Sequence, residues 1–263
     1  MSKRLENKRA LVTGGSRGIG AAIVKRLASE GADVALSYVS KPDQANDTVK
    51  AAQALGVKAL AIEANSADAG AVVAAVERTV RELGGLDILV NNAGIAVKGL
   101  IDDVRLKDLD RTLAVNVRAV FVATQAAVKH MQAGGRIINI GSCNAERVPV
   151  AGRSVYALSK SALIGLVKGV ARDLGPRGIT INNVLPGPVD TDMNPATTDF
   201  AKMLLDKVMA LPRYATGDEI ASLVPYLASP EPAFMTEPAW ASTADSPRNQ
   251  SRVGKITLKV AGS

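Results

Sequence analysis

The sequence predicts an α/β fold with a doubly wound parallel sheet. Short apolar runs alternate with longer segments whose apolar residues recur at helical spacing, and a glycine-rich turn follows the first run. Strands that alternate with helices form a parallel sheet through right-handed crossovers, with helices on both faces. The 263 residues suit one such unit. We therefore expect a single-domain, Rossmann-type α/β architecture.

Six apolar runs are the predicted strands. They cover residues 9–13, 33–38, 58–64, 86–92, 135–142 and 179–187. Helical spacing predicts helices over 19–29, 69–83, 109–131, 154–174 and 218–227. Residues 188–214 combine loops with short helices, and ligands of open parallel sheets lie beyond the carboxyl ends of the strands. We therefore expect 188–214 to be a lid over the substrate.

Composition argues against several kinds of partner. No apolar stretch reaches about 18 residues and the N-terminus lacks a signal-peptide core, so we expect a cytoplasmic protein with no membrane partner. Cys143 is the only cysteine, which excludes an intrachain disulfide, and one histidine with one cysteine argues against a metal site. Lysines and arginines give a net charge of +7 but are scattered among acids. This pattern argues against nucleic acid and favours attraction of an anionic substrate or cofactor.

The run TGGSRGIG lies between the first strand and the first helix, and it contains Gly14, Gly18 and Gly20. Glycines there permit a tight turn and let backbone N–H groups approach a pyrophosphate at the helix N-terminus. A glycine-rich turn also occurs in ordinary strand-to-helix connections. The order strand, loop, helix, strand favours the dinucleotide site.

The end of the second strand indicates which dinucleotide is bound. It reads SYVSK over residues 37–41 and offers no carboxylate for the ribose hydroxyls of NAD(H). Arg17 in the glycine loop and Lys41 can meet a 2′-phosphate instead. The sequence therefore favours NADP(H) over NAD(H), with the alternative that both cations are solvated surface residues.

Tyr156 and Lys160 lie four residues apart on a predicted helix, hence on one face. An ammonium beside a phenol lowers a pKa that starts near ~10, which would make the tyrosine an acid or base near neutrality. Ser142 ends the fifth strand, where its hydroxyl can hydrogen-bond a substrate carbonyl. Asn116 lies in a helix among apolar residues and needs a specific partner there. A Tyr-x-x-x-Lys pair without this context is typical of an ordinary helix surface.

TGGSRGIG, NNAG at 91–94, Asn116, Ser142 and YALSK in this order resemble the short-chain dehydrogenase/reductase family from residue 8 to about 236. The likeness is greatest to 3-oxoacyl-[acyl carrier protein] reductases and to relatives acting on sugars, steroids or simple ketones. It implies hydride transfer between NADP(H) and a carbonyl or secondary alcohol. Tyr156 would be the general acid in reduction, and Lys160 would lower its pKa and hold the nicotinamide ribose. Ser142 would orient the substrate oxygen, and Asn116 would anchor a water of the proton relay.

The resemblance also implies a set of cofactor contacts along the whole cleft. Residues 92–94 fall on the adenosine side and residues 186–191 on the nicotinamide side, while Asn65 stands where most members have an aspartate. Its amide oxygen can still accept from the adenine amino group. The expected cofactor-binding residues are Gly14, Ser16, Arg17, Gly18, Ile19, Gly20, Tyr38, Asn65, Ser66, Asn92, Ala93, Gly94, Tyr156, Lys160, Pro186, Gly187, Val189 and Thr191.

Two further expectations concern assembly and activity. The resemblance implies a homotetramer or dimer in which the helices containing Asn116 and Tyr156 pack against their symmetry mates. The alternative function is a non-catalytic dinucleotide-binding sensor or scaffold, against which the intact catalytic set counts. His130 is expected on the surface, and Cys143 is expected to pack on the strand face opposite Ser142.

The tail departs from the family after about Thr236. Members usually close with T-G-x-x-L-x-x-D-G-G-F, which forms the seventh strand, whereas residues 237–263 lack this motif. The codons of residues 237–249, taken one base out of register, permit Gly-Ala-Ser-Leu-Gly-Ile-Asp-Gly-Gly-Phe-Ala-Ala and a stop. We therefore hypothesise a frameshift after about Thr236. The domain would then cover residues 1–236, and the replaced tail would lack the seventh strand. Apolar and polar residues alternate over 256–260, which is typical of an edge strand that could replace the missing one. The alternative is an irregular tail.

Overall fold

The computed structural model describes residues 3–236 and the backbone of residues 239–242. Its centre is a parallel sheet with the strand order β3-β2-β1-β4-β5-β6-β7. This confirms the predicted doubly wound α/β fold. The strands are β1 (Arg9–Val12), β2 (Asp33–Tyr38), β3 (Ala59–Glu63), β4 (Ile88–Asn91), β5 (Arg136–Ile140), β6 (Thr180–Pro186) and β7 (Ala239–Ser242).

Helices cover both faces of the sheet. One core lies under α1, α2, α8 and α9, and the other lies under α3, α5 and α6. The helices are α1 (Gly18–Ser29), α2 (Pro42–Gln53), α3 (Ala69–Leu83), α4 (Leu106–Leu113), α5 (Ala119–Ala127), α6 (Ser154–Leu174), α7 (Asp199–Lys207), α8 (Gly217–Ala221) and α9 (Val224–Ala228).

Alternation along the central strands produces the two cores. In β4, Ile88 and Val90 pack into the core under α1, while Leu89 packs into the opposite one. All three side chains are fully buried. Strands buried on both faces read as continuous apolar runs, which is why they were visible in the sequence.

The helix bounds differ from expectation in three places. The sequence pattern gave no sign of α2, which begins at Pro42, a residue whose fixed φ suits a first helical turn. The helix expected over 109–131 consists of α4, a π-helical turn at Ala114–Arg118 and α5. The helix expected over 218–227 is two short helices, α8 and α9, with Pro225 in the first turn of the second.

The expectation that no segment is long and apolar enough to cross a membrane is revised. By length and composition alone, Ser154–Arg177 passes that test, with 24 residues and a mean hydropathy of 1.2. Leu163, Val167 and Ala171 from this segment are buried, and the latter two pack under the sheet in the α3–α5–α6 core. The segment is therefore a core helix of this fold.

The predicted loss of the seventh strand is wrong. β7 pairs in parallel with β6, and Asn183 is opposite Ala239 while Pro186 is opposite Ser242. The ladder needs only backbone N–H and C=O groups, so the edge of β6 can pair with a segment that lacks the family motif. The substitute strand expected at 256–260 lies outside the described residues.

Candidate active site

A cavity of about 650 Å³ opens at the carboxyl ends of the strands, where β1 and β4 are neighbours and the strand order reverses. All eighteen residues that the resemblance assigns to cofactor binding line it, as does Ser142. Asn116 and Lys41 are not among the lining residues. The structure thus brings nearly all of the predicted site together around one space.

The glycine loop is shaped by close approaches that exclude side chains. Gly14 has φ +65°, and a Cβ on it would lie 2.9 Å from the Cα of Ala93. A Cβ on Gly20 would collide with the carbonyl oxygen of Gly14 and lie 2.5 Å from Asn92 Nδ2. A side chain at either position would therefore push the loop out of this shape. Glycine lets the loop backbone lie close to a ligand at the N-terminus of α1.

Two side chains that hold this loop come from the ends of β1 and β4. Thr13 Oγ1 accepts from the backbone N–H groups of Asn92 and Ala93 at 3.0 and 3.1 Å. Asn92 Nδ2 donates to the carbonyl oxygens of Thr13 and Gly14, both at 3.0 Å. Sequence reasoning missed Thr13. It also assigned Asn92 only to the cofactor, whereas its amide nitrogen fixes the loop.

The end of the cavity beside β2 carries the features expected for a 2′-phosphate. Tyr38 and Ser40 line it, and Arg17 lines it from the glycine loop. Arg17 Nη1 lies 3.0 Å from Asp192 Oδ2, and both side chains are more than half exposed. Asp192 is the one carboxylate among the lining residues of the described chain. Of the two cations predicted to meet a 2′-phosphate, Arg17 lines the cavity and Lys41 does not.

The catalytic set stands where β5 and α6 meet. Ser142 follows β5 and hydrogen-bonds the phenol of Tyr156. Its Oγ also accepts from Asn144 N at 3.2 Å. Lys160 Nζ donates to the carbonyl oxygen of Ile140 at 2.8 Å and lies 5.9 Å from the centroid of the Tyr156 ring. The hydroxyl pair and the ammonium therefore share one wall of the cavity.

The expected effect of Lys160 on Tyr156 is not found in this structure. Burial raises the pKa of Tyr156, while the hydrogen bond with Ser142 and the charge of Arg153 act to lower it. Burial also lowers the pKa of Lys160 itself to about 8. Removal from water without an opposing charge disfavours the charged form of both groups. The phenol is consequently protonated at neutral pH, which is the state a proton donor needs.

Asn116 is buried in the π-helical turn and acts on the backbone around the site. Its Oδ1 accepts from Ile95 N, and its Nδ2 donates to Ile95 O and to Ser159 Oγ, each at 2.9 Å. Ser159 Oγ donates in turn to Tyr156 O at 2.7 Å. The side chain thus ties the loop after β4 to the first turns of α6. The water-anchoring role stays a prediction, and Ser159 was missed.

A ladder of buried asparagines links the sheet to the same helix. Asn91 Nδ2 donates to Asn139 Oδ1 at 2.9 Å, and Asn139 Nδ2 donates to Asn183 Oδ1 at 3.1 Å. Asn183 Nδ2 donates to Leu163 O at 3.1 Å, within α6. The three residues are in register across β4, β5 and β6. The ladder fixes α6 one turn beyond Lys160.

The substrate end of the cavity is apolar and is built by segments distant in sequence. α7 packs through Ala201 and Leu204 against Tyr214. Cys143 lines the cavity, contrary to expectation, because β5 ends at Ile140 and strand alternation no longer applies. The apolar lining residues here are Ile95, Ala96, Val115, Pro149, Val150, Met193, Phe200, Leu204 and Val208.

The fold and the site have counterparts among known proteins. A family model described as enoyl-(acyl carrier protein) reductase matches residues 14–239. The cyclic-di-GMP-binding biofilm dispersal mediator protein of Escherichia coli is 48% identical over 229 residues, which are 87% of this chain and 92% of the relative. The 3-oxoacyl-[acyl-carrier-protein] reductase FabG of Staphylococcus aureus is 39% identical over 231 residues, which are 87% of this chain and 94% of the relative.

A solved structure also matches this chain over most of its length. A short chain dehydrogenase from Burkholderia cenocepacia, in complex with NADP, is 55% identical, with a TM-score of 0.89 over 90% of this chain and 97% of that one. The architecture and the matches define an oxidoreductase built on a dinucleotide-binding fold. The chain belongs to the short-chain dehydrogenase/reductase family, which confirms the resemblance seen in the sequence.

Proposed function

We propose that this protein is an NADP(H)-dependent reductase that converts a small carbonyl compound to a secondary alcohol, or the reverse. The observation that carries the proposal is the placement of Tyr156, Ser142 and Lys160 on the cavity that the glycine loop also lines. The candidate substrates are 3-oxoacyl thioesters, ketones and sugar-like carbonyls, the classes handled by similar family members.

The residues present fit the cofactor. Gly14 and Gly20 let the glycine loop pack against Ala93 and Asn92 where no Cβ fits, and the backbone N–H groups at the N-terminus of α1 suit a phosphate. Arg17 supplies a positive charge to the cavity lining, and its partner Asp192 is the one lining carboxylate of the described residues. The similar Burkholderia cenocepacia dehydrogenase was solved with NADP. NADPH, when bound, supplies the hydride that adds to the carbonyl carbon.

The chain's own residues supply the proton and the orientation. The Tyr156 hydroxyl is protonated at neutral pH and donates its proton to the carbonyl oxygen, and Ser142 holds that oxygen by a hydrogen bond. Lys160 places a positive charge below about pH 8 beneath this pair. Burial of the site strengthens each of these interactions because the surroundings are less polar than water.

The test is carbonyl-dependent NADPH oxidation by the purified protein. A panel of ketones, aldehydes and a 3-oxoacyl thioester is offered with NADPH and, separately, with NADH. We expect turnover of at least one carbonyl, with NADPH preferred. Binding of NADPH without turnover of any panel member would contradict the proposal.

A second candidate is a non-catalytic nucleotide-binding sensor or scaffold. It is favoured by the 48% identity of this chain to a cyclic-di-GMP-binding mediator protein. The complete set of Ser142, Tyr156 and Lys160 in the cavity argues for catalysis instead. Calorimetric titration with cyclic-di-GMP, together with the carbonyl panel, distinguishes the two.

We also propose a homodimer or homotetramer in the cytoplasm. Phe121 on α5 is 48% exposed and Leu158 on α6 is 52% exposed, on the two helices expected to meet their symmetry mates. Large apolar side chains exposed on adjacent elements favour an interface. The mass in solution tests the assembly, and cell fractionation tests the compartment.

For the tail we keep the frameshift hypothesis. The family motif is absent after Thr236, so we propose a domain over 1–236 with a lid at 188–214 and an atypical tail at 237–263, from which residues 239–242 join the sheet as β7. The nucleotide sequence is the test. If the other frame does not encode the D-G-G-F ending, the hypothesis is wrong.

A further inference from the structure

The apolar part of the cavity lining also contains two arginines. Arg111 and Arg153 line it among apolar side chains. Within the described residues neither guanidinium forms an ion pair, and the lining carboxylate, Asp192, is paired with Arg17. Arg111 is exposed and Arg153 is half-buried, so each guanidinium is open to a ligand in the cavity.

Arg153 is the better placed of the two arginines. It directly precedes α6, three residues before Tyr156. Burial raises the pKa of both Tyr156 and Tyr214, and the charge of Arg153 opposes that rise in both. Arg153 therefore lies within electrostatic reach of the reacting hydroxyl.

An aromatic ring fixes the orientation of this guanidinium. Arg153 Cζ lies 4.9 Å from the centroid of Phe200, and Lys98 Nζ lies 5.7 Å from the same centroid. A guanidinium stacked on an aromatic face keeps its N–H groups free at its edge, where they can bind a carboxylate or phosphate through two parallel hydrogen bonds. Phe200 lines the cavity from α7, so the stacked pair borders the space for substrate.

The cofactor does not account for this arginine. The features that suit its phosphates are the glycine loop and Arg17, on the side of the cavity bordered by β1 and β2. Arg153 stands with the apolar residues of α7 and with Tyr156. A charge at this place serves the molecule whose carbonyl meets Tyr156.

We propose that Arg153, held on Phe200, is an anion subsite, and that the substrate is a carbonyl compound whose apolar body carries a carboxylate or a phosphate. The proposal rests on the reductase function given above and specifies its substrate class. The anionic group docks on Arg153, the body lies against the apolar lining, and the carbonyl oxygen is presented to Ser142 and Tyr156.

The test compares matched ketones on the full chain with NADPH. The pairs are 4-acetylbenzoate with its methyl ester, and 4-acetylphenyl phosphate with 4-hydroxyacetophenone. We expect kcat/KM to be about 10-fold or more higher for the anionic member of at least one pair, the value of one charge-assisted hydrogen bond. The carboxylate and phosphate pairs distinguish the two sources of the anion.

The variant Arg153→Gln should abolish that preference, and Arg153→Lys should restore part of it. Lys98→Gln is the matched control, because Lys98 contacts the same ring but does not line the cavity. It should keep the preference.

Binding of the same four compounds to NADP⁺-loaded protein, measured by calorimetry, separates the two proposals. Arg153-dependent binding of the anions without turnover would support the subsite and overturn the reductase. Turnover that is equal for both members of each pair, or that Arg153→Gln lowers equally, would overturn the subsite and leave the reductase standing. Absence of both turnover and Arg153-dependent binding would overturn both.

Discussion

The two ends of the cavity are held in different ways. At the cofactor end, Asn92 Nδ2 donates to the backbone of the glycine loop, and Gly14 N donates to Ser37 Oγ of β2. Thr13 Oγ1 accepts from the backbone that follows β4. At the substrate end, much of the 188–214 segment is exposed. Its contacts include a small cluster around Leu204, a turn fixed by Asp190, and the exposed ion pairs of Arg213 with Glu219 and of Arg17 with Asp192.

The difference shows which part of the site is preformed. Hydrogen bonds with Asn92 and Ser37 hold the backbone of the glycine loop, so we expect its ligand to meet a preformed surface. Exposed side-chain contacts contribute little to stability. Substitutions in the 188–214 segment, or movements of it, should therefore cost little folding free energy. A fixed cofactor site beside an adjustable wall is suited to one hydride donor and many carbonyl compounds.

The largest expected effect comes from breaking the preformed end. In Gly20→Ala the new Cβ meets the Gly14 carbonyl and Asn92 Nδ2, so the loop must move away from its ligand. Overpacking costs up to about 3 kcal/mol, hence we expect NADPH affinity to fall by about 100-fold. Fluorescence titration with NADPH measures it. Gly169→Ala is the control, because nothing lies within 4 Å of its Cβ, and an unchanged affinity in Gly20→Ala would refute the account of the loop.

Removing the phosphate-facing cation should have the next largest effect. Arg17→Ala should lower NADPH affinity by roughly one to two decades and leave NADH affinity nearly unchanged, since a charge-assisted contact contributes about 1.5–3 kcal/mol. Dissociation constants for both cofactors are measured in parallel. Lys41→Ala is the matched control, since Lys41 does not line the cavity. Equal wild-type constants for NADPH and NADH would show that Arg17 does not select the cofactor.

Burial of the Lys160 ammonium should lower the free energy of unfolding, and this effect can be measured without cofactor. Its pKa falls from 10.5 to about 8 on folding, so the unfolded chain binds more protons between those values. The free energy of unfolding should therefore rise as the pH goes from about 8 to 10.5. Lys160→Met should lack that rise.

At pH 7 the methionine variant should be at least as stable as the wild type. It removes a desolvation cost of about 3 kcal/mol, which exceeds or equals the loss of the hydrogen bond to Ile140, about 1–3 kcal/mol. Urea unfolding at pH 7 and pH 10 checks both statements. A variant several kcal/mol less stable at pH 7 would show that the ammonium stabilises the fold.

The smallest effect should come from breaking the ion pair between Arg17 of the glycine loop and Asp192 of the 188–214 segment. Asp192→Asn releases Arg17 from an exposed ion pair, which contributes no more than about 1 kcal/mol. We therefore expect NADPH affinity to rise by no more than about fivefold, with a weaker effect at high salt. Asp199→Asn, in an exposed pair with Lys202 outside the cavity lining, is the control. A loss of affinity in Asp192→Asn would mean that the pair holds the site open for cofactor.

Local signals explain what the sequence could predict. TGGSRGIG identified the loop, and the bounds of α3 and α6 followed from helical spacing, with Asp68 capping α3. These features depend on residues within a few positions of one another. The placement of the lining residues followed from the family motifs.

The features that were missed depend on contacts between distant residues. Thr13 meets Asn92 across 79 positions, and Arg17 meets Asp192 across 175. β7 pairs by its backbone, and no side-chain pattern at 239–242 indicated a strand. The raised pKa of Tyr156 follows from its burial in the assembled cavity. None of these can be read from spacing along the chain.

The central claim is that the glycine loop supplies most of the NADPH affinity and that Tyr156 supplies the proton. Its most direct test is the NADPH dissociation constant of Tyr156→Phe measured beside its kcat for the best carbonyl of the panel. We predict a dissociation constant within about twofold of the wild type and a kcat lowered by about 100-fold or more, the usual contribution of a general acid. An unchanged kcat, or a loss of NADPH affinity as large as the loss of turnover, would contradict the claim.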